Sequence, residues 1–337
     1  MVEPRICCLM FALSRLRPVF CFLLGPGQRW LLGALLLWGG AAPPAVGQFR
    51  VRIRKPVVGA AAVVAPDLAP ADPPLVRTRL FQAAALTNAF KDSEALAVYQ
   101  EILKKNPVHY LALWQAAVLS IKIGSRYSDE TRKAAYFDTG RQYADRALQL
   151  RPEGGESNYA VALALFSQAT LYRAGARLMA FRDLRSHVYL AAEHRPDLPE
   201  AWQLLGRWQY RVAHYNLLER LYSKLVLGGV PAGGDSREAM ADLEKARELA
   251  PLNLQFCYDL ARMYSYQGRR RPAITLLREA ERIPPLTSDD LVVSRLCRKM
   301  LPPLLRADAR RQKRLSRAIS PAAGPAAPAS RAVGSKE

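Results

Sequence analysis

The sequence predicts an all-α fold in which antiparallel helix pairs stack side by side. The first observation is the spacing of small and apolar residues from Leu254 to Leu286, LQFCYDLARMYSYQGRRRPAITLLREAERIPPL. This spacing follows the helix-turn-helix pattern W-x2-L-G-x2-Y, A-x3-F, P, which repeats roughly every 34 residues. The second observation is that similar stretches, each closed by a proline, precede it. One such pair cannot bury its apolar side alone, so the pattern requires a stack.

The pattern positions of this repeat are filled by residues that suit two closely packed helices. They are Cys257, Leu260, Ala261 and Tyr264 in the first helix and Ala273, Leu277, Ala280 and Pro285 in the second half. Small residues let the backbones approach, and Gly268 supplies the turn. This is a tetratricopeptide (TPR) repeat, so the expected fold is a TPR-like α-α superhelix. It would be a right-handed solenoid of about five antiparallel helix pairs, with elongated middle hairpins and a C-terminal capping helix.

Four further helix pairs precede this repeat. They are predicted over residues 75–90 with 93–105, 108–122 with 129–150, 157–173 with 178–193, and between Trp202 and Pro251. The closing prolines, from Pro107 to Pro285, are spaced 45, 44, 55 and 34 residues apart. Three of these intervals exceed the usual TPR period, so we expect the middle hairpins to contain longer helices.

The longest interval contains an apolar segment, residues 216–227, followed by a glycine-rich loop. Its apolar side chains share one face of a helix: Leu217, Leu218, Leu221, Tyr222 and Leu225. We expect this helix to lie on the neighbouring repeat, and a membrane-inserting hairpin is the alternative. After the fifth pair, an N-cap cluster at residues 287–290 predicts a last helix over 291–300 that covers the end of the stack.

The two ends of the chain differ from the repeats in composition. Residues 1–47 have the basic residues, the short apolar run WLLGALLLW and the small-x-small motif Ala45-Val46-Gly47 of a signal peptide. Cleavage near Gly47 would give an exported protein, periplasmic or secreted; an uncleaved N-terminal membrane anchor is the alternative. Residues 48–74 are expected to form an extended, proline-rich linker before a repeat domain at 75–301, and residues 302–337 a basic, disordered tail.

The charge of the chain is strongly positive, with 49 basic and 29 acidic side chains and a formal net charge of +20. Residues 1–75 and 306–337 each contain eight basic side chains, against three and two acidic ones. More than half of the excess therefore lies outside the repeats. No recognition motif or array of base-stacking aromatic residues accompanies it, so a nucleic-acid partner is not expected. Membrane contact through the basic tails or the N-terminal segment is left open.

No site for catalysis, metal binding or cofactor binding is predicted. His187 and His194 lie about 10 Å apart on one helix and lack the other residues of a ligand set. The sequence contains no phosphate-binding loop, dinucleotide-binding motif or serine elbow. Of the five cysteines, Cys257 and Cys297 follow the predicted cleavage site, which excludes a disulfide framework and leaves one bridge between them open. We therefore expect a non-enzymatic protein.

Binding is the activity that stacked helix pairs offer. The first helix of each pair lines the concave surface, where its residues are free to contact a ligand. The predicted groove residues are Trp114, Asn158, Gln203, Arg207, Tyr210, Tyr258, Arg262 and Tyr266. Arginine pairs with carboxylates bidentately and tyrosine buries apolar area, so we expect a protein or peptide partner with acidic residues. The alternative is that Arg207 and Arg262 pair with acidic residues of adjacent repeats.

Five blocks of the sequence resemble a known family. They are SNYAVAL, AWQLLGRWQY, LYSKLVLGGVP, REAMADLEKARELAP and CYDLARMYSYQGRRRPAITLLREAERIPPLTSDD. Their order and spacing are similar to those of the regulator of microtubule dynamics protein family, over roughly residues 75–301. The resemblance implies a helical adaptor and not an enzyme. Eukaryotic members are tied to microtubules and organelle membranes. This chain departs in its secretory-type N-terminus and bacterial-looking composition, so the resemblance implies only the fold and the binding role.

Two functions fit these observations. The first is an exported TPR adaptor or scaffold that binds a protein or peptide partner in a concave groove. The alternative is a structural, envelope-associated protein held to an anionic membrane or polymer by its basic tails. Deletion of residues 306–337 separates them, because an adaptor keeps its partner whereas a tail-held protein loses its attachment.

Overall fold

The computed structural model describes residues 72–319, which form thirteen α-helices and no β-strand. The helices are α1 (Pro74–Asn88), α2 (Asp92–Lys105), α3 (Tyr110–Ser125), α4 (Glu130–Leu150), α5 (Gly155–Ala169), α6 (Ala174–Asp183), α7 (Arg185–His194), α8 (Pro199–Ala213), α9 (Leu217–Val226), α10 (Ser236–Leu249), α11 (Leu254–Tyr266), α12 (Arg270–Ala280) and α13 (Ser288–Ile319). No helix within this range is both long and apolar enough to cross a membrane. The predicted signal peptide and most of the predicted linker lie outside the described residues.

Ten of the helices form five consecutive antiparallel pairs. The pairs are α1 with α2, α3 with α4, α5 with α7, α8 with α10 and α11 with α12. The second helix of each pair also packs on the first helix of the next, and α13 packs on α11 and α12 at the end of the stack. The predicted all-α, TPR-like α-α solenoid is confirmed, with α13 in the place of the capping helix.

The helices of a pair approach closely because small residues lie at their contacts. A Cβ atom on Gly206 of α8 would lie 2.7 Å from the carbonyl oxygen of Ala239 on α10. In the fifth pair, Ala261 and Ala273 are both fully buried. A larger side chain at such a position would force the two backbones apart.

The middle hairpins are longer than the last one, as the proline spacing predicts. Helix α4 has 21 residues, whereas α12 has 11. Helices α2, α4, α7 and α10 each end two residues before a closing proline. Proline disfavours the helical conformation of the residue before it, so a helix ends at that point.

The second helix of the third pair differs from the prediction of one helix over residues 178–193. The chain forms α6 and α7 instead, which meet at the fully buried Leu184. Near this break, the indole Nε1 of Trp208 donates a hydrogen bond of 2.7 Å to the carbonyl oxygen of Phe181. A donor from α8 thus satisfies a carbonyl at the end of α6, and helical periodicity alone does not reveal such a tertiary contact.

The helix inserted into the fourth pair is present as α9, and it lies on α6 of the neighbouring third pair, as predicted, although most of its apolar face is exposed. It packs through Tyr222 and through its polar side, where Glu219 and Ser223 are buried. Its exposed apolar residues are Leu217, Leu218, Leu221 and Leu225. Asn216 and Glu219 form a capping box, and Arg211 of α8 donates two hydrogen bonds to the Glu219 carboxylate. These polar contacts hold the charged side of α9 against the repeat.

The C-terminal helix is longer than the predicted 291–300. Helix α13 passes through Pro302 and Pro303 and continues to Ile319. The boundary between the repeat domain and the tail therefore does not fall at residue 301. The prediction of a disordered tail from residue 302 is wrong for residues 302–319.

The continuation of α13 has a physical reason. The two prolines remove backbone donors, which leaves the carbonyl oxygens of Arg298 and Lys299 without helical partners. Both residues are exposed, so water can bind these oxygens. Leu301 and Leu304, on either side of the prolines, are buried in the core of the fifth pair. This burial holds the helix on the stack where proline would otherwise end it.

The two cysteines in the described range are both free and buried. Burial raises the pKa of Cys297 to about 11, and it also raises the pKa of Cys257. Both thiols are therefore protonated at neutral pH, the unreactive form of cysteine.

Candidate functional site

Helices α5, α6, α8 and α11 surround a cavity of about 470 Å³. It is lined by Phe166, Ala169, Thr170, Arg177, Phe181, Arg207, Tyr210, Arg211, His214, Asp259, Arg262, Met263 and Tyr266. Arg177, Arg207, Arg211 and Arg262 all reach it, so we name it the arginine groove. Four of the other lining residues are aromatic: Phe166, Phe181, Tyr210 and Tyr266.

The same helical spacing brings the lining residues into one place. Helix α8 and its C-cap contribute Arg207, Tyr210, Arg211 and His214, and α11 contributes Asp259, Arg262, Met263 and Tyr266. Each set follows the i, i+3, i+4, i+7 spacing of a single helix face. The buried Leu204, Leu205 and Trp208 of α8 pack into the core. Core packing therefore fixes the direction in which the groove residues of α8 point.

Arg207 has few partners within the protein. Its guanidinium lies 4.6 Å from the centre of the Phe166 ring, and its Nε lies 3.9 Å from Oδ2 of Asp259. That oxygen already accepts hydrogen bonds of 2.8 Å from Gln203 and 3.1 Å from Gln255. A separation of 3.9 Å is too long for a hydrogen bond, so the donors of Arg207 remain available to a ligand.

Arg262 lies over two tyrosine rings. Its guanidinium carbon is 5.5 Å from the centre of the Tyr258 ring and 5.9 Å from that of Tyr266. Within residues 72–319 it forms no ion pair with a carboxylate. The alternative that both groove arginines pair with acidic residues of adjacent repeats thus holds only for Arg207, through one long contact.

Arg211 and Arg177 lie deeper, near α6 and α9. Arg211 is committed to Glu219, whose two carboxylate oxygens it contacts. Burial alone would raise the pKa of Glu219, but hydrogen bonds from Arg211 and Asn216 lower it, so the carboxylate is ionised at neutral pH. The Nε atom of Arg177 is buried and has no hydrogen-bond partner in the described part of the chain. Such an atom is costly to leave unpaired, and an anion could satisfy it.

Aromatic side chains form the rest of the groove. Phe166 and Phe181 meet edge to face, with ring centres 5.6 Å apart. Tyr210 stacks on His214 at 4.0 Å and lies 6.4 Å from Tyr266. Burial also raises the pKa of Tyr210, so its hydroxyl is neutral and can both donate and accept. The groove therefore offers guanidinium donors beside an apolar, aromatic surface.

Four of the predicted groove residues line the cavity, and two more support it. Arg207, Tyr210, Arg262 and Tyr266 are lining residues. Gln203 donates a hydrogen bond to the Asp259 carboxylate, and the ring of Tyr258 lies under the guanidinium of Arg262. These two act on lining residues and do not face the cavity themselves.

The other two predicted residues, Asn158 and Trp114, are not part of the groove. Asn158 is fully buried, donates 2.8 Å hydrogen bonds to the carbonyl oxygens of Pro152 and Gly154, and contacts Nδ1 of His187 at 2.7 Å. It fastens the start of α5. Trp114 is half-buried and packs against the core of the first two pairs. Of the two, only Asn158 is fully buried.

Several lining residues were not predicted. Arg211 and His214 follow Arg207 at i+4 and i+7, so extending the helical face along α8 would have found them. Arg177 and Phe181 lie on α6. Their approach depends on the break at Leu184, which the periodicity does not indicate. Among the described residues there is no group of three or more His, Cys, Asp or Glu side chains that could hold a metal ion.

Two solved structures illustrate the similarity to known TPR proteins. A thermophilic TPR protein of Thermus thermophilus aligns with 67% of this chain and 100% of its own, at a TM-score of 0.48 and 16% identity. YrrB, described as a TPR protein with an unusual peptide-binding site, aligns with 66% of this chain and 91% of its own. Its TM-score is 0.34 and its identity 16%.

Curated relatives match by sequence. Regulator of microtubule dynamics protein 3 of Mus musculus is 25% identical over 179 residues, which is 53% of this chain and 38% of the relative. Regulator of microtubule dynamics protein 3 of Rattus norvegicus is 26% identical over 53% of this chain and 38% of the relative. Regulator of microtubule dynamics protein 2 of Homo sapiens is 25% identical over 52% of this chain and 42% of the relative. The chain thus covers 38% to 42% of the length of these relatives.

A family model matches a longer part of the chain than these relatives do. The model described as Regulator of microtubule dynamics protein 1-3 matches residues 80–305, from within α1 to within α13. The match includes part of α1, all of α2 to α12 and the arginine groove. It covers more than half of the 337 residues. The chain belongs to the regulator of microtubule dynamics protein 1-3 family.

Proposed function

We propose that this protein is a non-enzymatic adaptor that binds an acidic segment of a partner protein in the arginine groove. The observation that carries the proposal is the convergence of four arginines on one cavity with aromatic walls. The TPR-like fold and the family favour an interaction scaffold. The acidic character of the partner follows from the charges of the groove.

Positive charge in the groove exceeds negative charge. Asp259 is the one carboxylate among the lining residues, and two glutamine side chains already donate to it. Glu219 neutralises Arg211 from behind. Arg207 and Arg262 remain for a ligand, whereas the charge of Arg177 also interacts with Glu219. Guanidinium groups bind carboxylates with two parallel hydrogen bonds, and these are stronger in a partly buried site than on an open surface.

The aromatic side chains favour a peptide that places an apolar residue beside an acidic one. Tyr266 is 67% exposed, so it has area to bury against a partner. Phe166 lies beneath Arg207, where an apolar side chain could pack next to a paired carboxylate. Buried aromatic and arginine side chains contribute most to the affinity of typical protein interfaces.

The proposal is tested with a fluorescein-labelled peptide that contains several Asp and Glu residues around one aromatic residue. Fluorescence anisotropy measures its affinity for the full chain. The double variant Arg207→Ala with Arg262→Ala should bind it at least about tenfold more weakly, since each charged hydrogen bond contributes about 1.5–3 kcal/mol. Circular dichroism should show unchanged helix content, because neither side chain is in the core.

The matched control removes two arginines from the outer helix layer. Arg278 and Arg282 are exposed near the end of α12 and do not line the groove. The variant Arg278→Ala with Arg282→Ala changes the net charge equally and should bind the peptide like the wild type. If both double variants lost the same affinity for the peptide, the loss would be explained by the lower net charge and not by the groove. Unchanged binding in the groove variant would refute the proposal.

The chemistry of the groove supports the non-enzymatic part of the proposal. The lining side chains with nucleophilic or acid-base character are Thr170, Tyr210, His214, Asp259 and Tyr266. The Thr170 hydroxyl donates to the carbonyl oxygen of Ser167, Nδ1 of His214 contacts the carbonyl oxygen of Tyr210, and the Asp259 carboxylate accepts from Gln203 and Gln255. Among the described residues no hydrogen bond joins one of these hydroxyl groups to His214 or Asp259, so the groove does not pair a nucleophile with a base.

A second function, attachment to an anionic membrane or polymer, is favoured by the exposed end of α13. Its basic residues are Arg306, Arg310, Arg311, Lys313, Arg314 and Arg317, with Asp308 as the single acid. All six basic side chains are exposed. Deleting residues 306–337 should abolish salt-sensitive attachment to an anionic support if this function holds, and should leave peptide binding in the groove unchanged.

A further inference from the structure

Helix α9 presents an apolar stripe to solvent. Leu217, Leu218, Leu221 and Leu225 are 81%, 75%, 51% and 74% exposed. At about 100° per residue they fall within one quarter to one third of the helix circumference. Val226 at the end of α9 and Val230 in the following loop are also exposed. Contiguous exposed apolar side chains of this kind mark a surface that is covered in the working protein.

The protein holds α9 in this orientation with specific contacts. Glu219 and Ser223, on the side of α9 opposite the leucines, are buried. The capping box of Asn216 and the ion pair with Arg211 fix the start of the helix. Tyr222 packs so closely on α6 that a Cβ at Gly175 would lie 2.9 Å from its hydroxyl. Burying polar side chains such as Glu219 and Ser223 costs free energy unless they are paired. Because this side of α9 nevertheless faces the protein, the leucines on the opposite side face solvent.

The charges around the stripe are positive. Lys224 is exposed along one edge of the leucines, and Arg220 lies on the same side, with its guanidinium on the carbonyl oxygens of Tyr215 and Ala213. Glu219 is the only carboxylate of α9, and it is buried against Arg211. The exposed surface of α9 therefore consists of leucine side chains with basic side chains along one edge.

We propose that α9 is an interfacial helix that docks this protein on an anionic lipid surface. A stripe of leucines edged by Lys and Arg is the pattern of helices that lie in a membrane interface. The basic edge would meet lipid phosphates while the leucines enter the boundary of the acyl chains. This inference concerns a surface separate from the arginine groove and does not depend on the proposed peptide.

A second copy of the chain is a poorer occupant. Helix α9 has ten residues and is about 15 Å long, so two such stripes bury far less than the roughly 1,200 Å² of a stable interface. In an antiparallel symmetric contact the basic edges of the two copies would also lie on the same side. A lipid surface needs neither a large interface nor a complementary shape.

Vesicle sedimentation of the full chain tests the proposal. The α9 variant carries Leu217→Ser, Leu218→Ser and Leu225→Ser. The control variant carries Leu75→Ser, Leu252→Ser and Leu286→Ser, at leucines of the same chain that are 61%, 75% and 67% exposed. Both are assayed with phosphatidylcholine vesicles, with and without phosphatidylserine, at low and at high salt. High salt screens attachment through the basic end of α13 and leaves the contribution of the leucines.

The α9 variant should partition onto phosphatidylserine vesicles at least about tenfold more weakly than the control variant, with the difference persisting at high salt. Wild-type protein should bind phosphatidylcholine alone more weakly than the anionic mixture. Equal partitioning of the two variants would overturn the proposal. So would equal binding of the wild type to both lipid compositions at low salt, where the charges are not screened. If instead the wild type is a dimer in sedimentation velocity and the α9 variant a monomer with unchanged vesicle binding, the stripe belongs to a self-contact.

Discussion

Gly206 offers a direct test of the close helix packing on which the fold depends. In the variant Gly206→Ala, the new methyl group would lie 2.7 Å from the carbonyl oxygen of Ala239 and 3.0 Å from Cγ of Leu243. Ordinary contacts are 3.4–4 Å, so α8 and α10 must separate by several tenths of an ångström. Overpacking of this kind costs about 1–3 kcal/mol.

Gly175 provides the matched control, because it is also a helical glycine. The variant Gly175→Ala would bring a methyl group 2.9 Å from the hydroxyl of Tyr222, which is the far end of a movable side chain. Gly206→Ala gains up to about 1 kcal/mol of helix propensity inside α8, and Gly175→Ala gains less because Gly175 is the second residue of α6. The cost of separating α8 from α10, about 1–3 kcal/mol, should still make Gly206→Ala the less stable of the two.

Urea unfolding followed by circular dichroism measures this difference. Gly206→Ala should unfold at lower urea than Gly175→Ala, and its melting temperature should fall by about 2–4 °C for each kcal/mol lost. If Gly206→Ala is as stable as Gly175→Ala, then the two backbones do not approach as closely as the structure requires. The assignment of α8 and α10 as a TPR-like pair would then be refuted.

Two further predictions concern pH and processing. Burial raises the pKa of Asp242 on α10 to about 6, above its ordinary value of 3.8, so the folded state binds a proton before the unfolded state and stability should increase as pH falls from 7 toward 4. Because the side chain is partly exposed, Asp242→Asn should raise the free energy of unfolding at pH 7.5 by only about 1–2 kcal/mol, and it should remove the dependence of stability on pH. Urea unfolding at pH 4.5 and 7.5 measures both effects, and an unchanged pH dependence in the variant would contradict the prediction. We also expect export with cleavage after Gly47, so the intact mass of the mature chain should correspond to a terminus at Gln48, and a mass that includes residues 1–47 would contradict it.

The sequence could predict the helix pairs because their contacts obey a fixed spacing. Two closely packed helices need small residues where they touch, as at Gly206, Ala261 and Ala273. This need leaves a regular spacing of small residues that can be recognised in the sequence. The closing prolines also mark where helices end. The spacing therefore predicts the class, the number of pairs and the longer middle hairpins.

The features that were missed depend on contacts distant in sequence. Nothing near Leu184 shows that Trp208 will hydrogen-bond to the carbonyl oxygen of Phe181 and stabilise a break. The apolar face of α9 has the same periodicity whether it faces the core or solvent. Its orientation depends on the packing of Tyr222 against α6 and on the pairing of Arg211 with Glu219. Proline usually ends a helix, but the burial of Leu304 in the core stabilises the continuation of α13 beyond Pro302 and Pro303.

The candidate site shows the same division. Arg207, Tyr210, Arg262 and Tyr266 follow from the register of α8 and α11, which the repeat pattern sets. Asn158 occupies an equivalent register position but is buried. In the longer middle hairpins the register no longer indicates which face is open.

The central claim, that the arginine groove receives an acidic segment, is tested most directly by photo-cross-linking. The acidic peptide used for anisotropy would carry a benzophenone group at its aromatic position, and mass spectrometry would locate the adducts on the full chain. The structure predicts adducts on groove residues, such as Met263, Tyr266 and Phe166, and their loss in the variant Arg207→Ala with Arg262→Ala. Adducts confined to α12 or the basic end of α13, unaffected by that variant, would contradict the account.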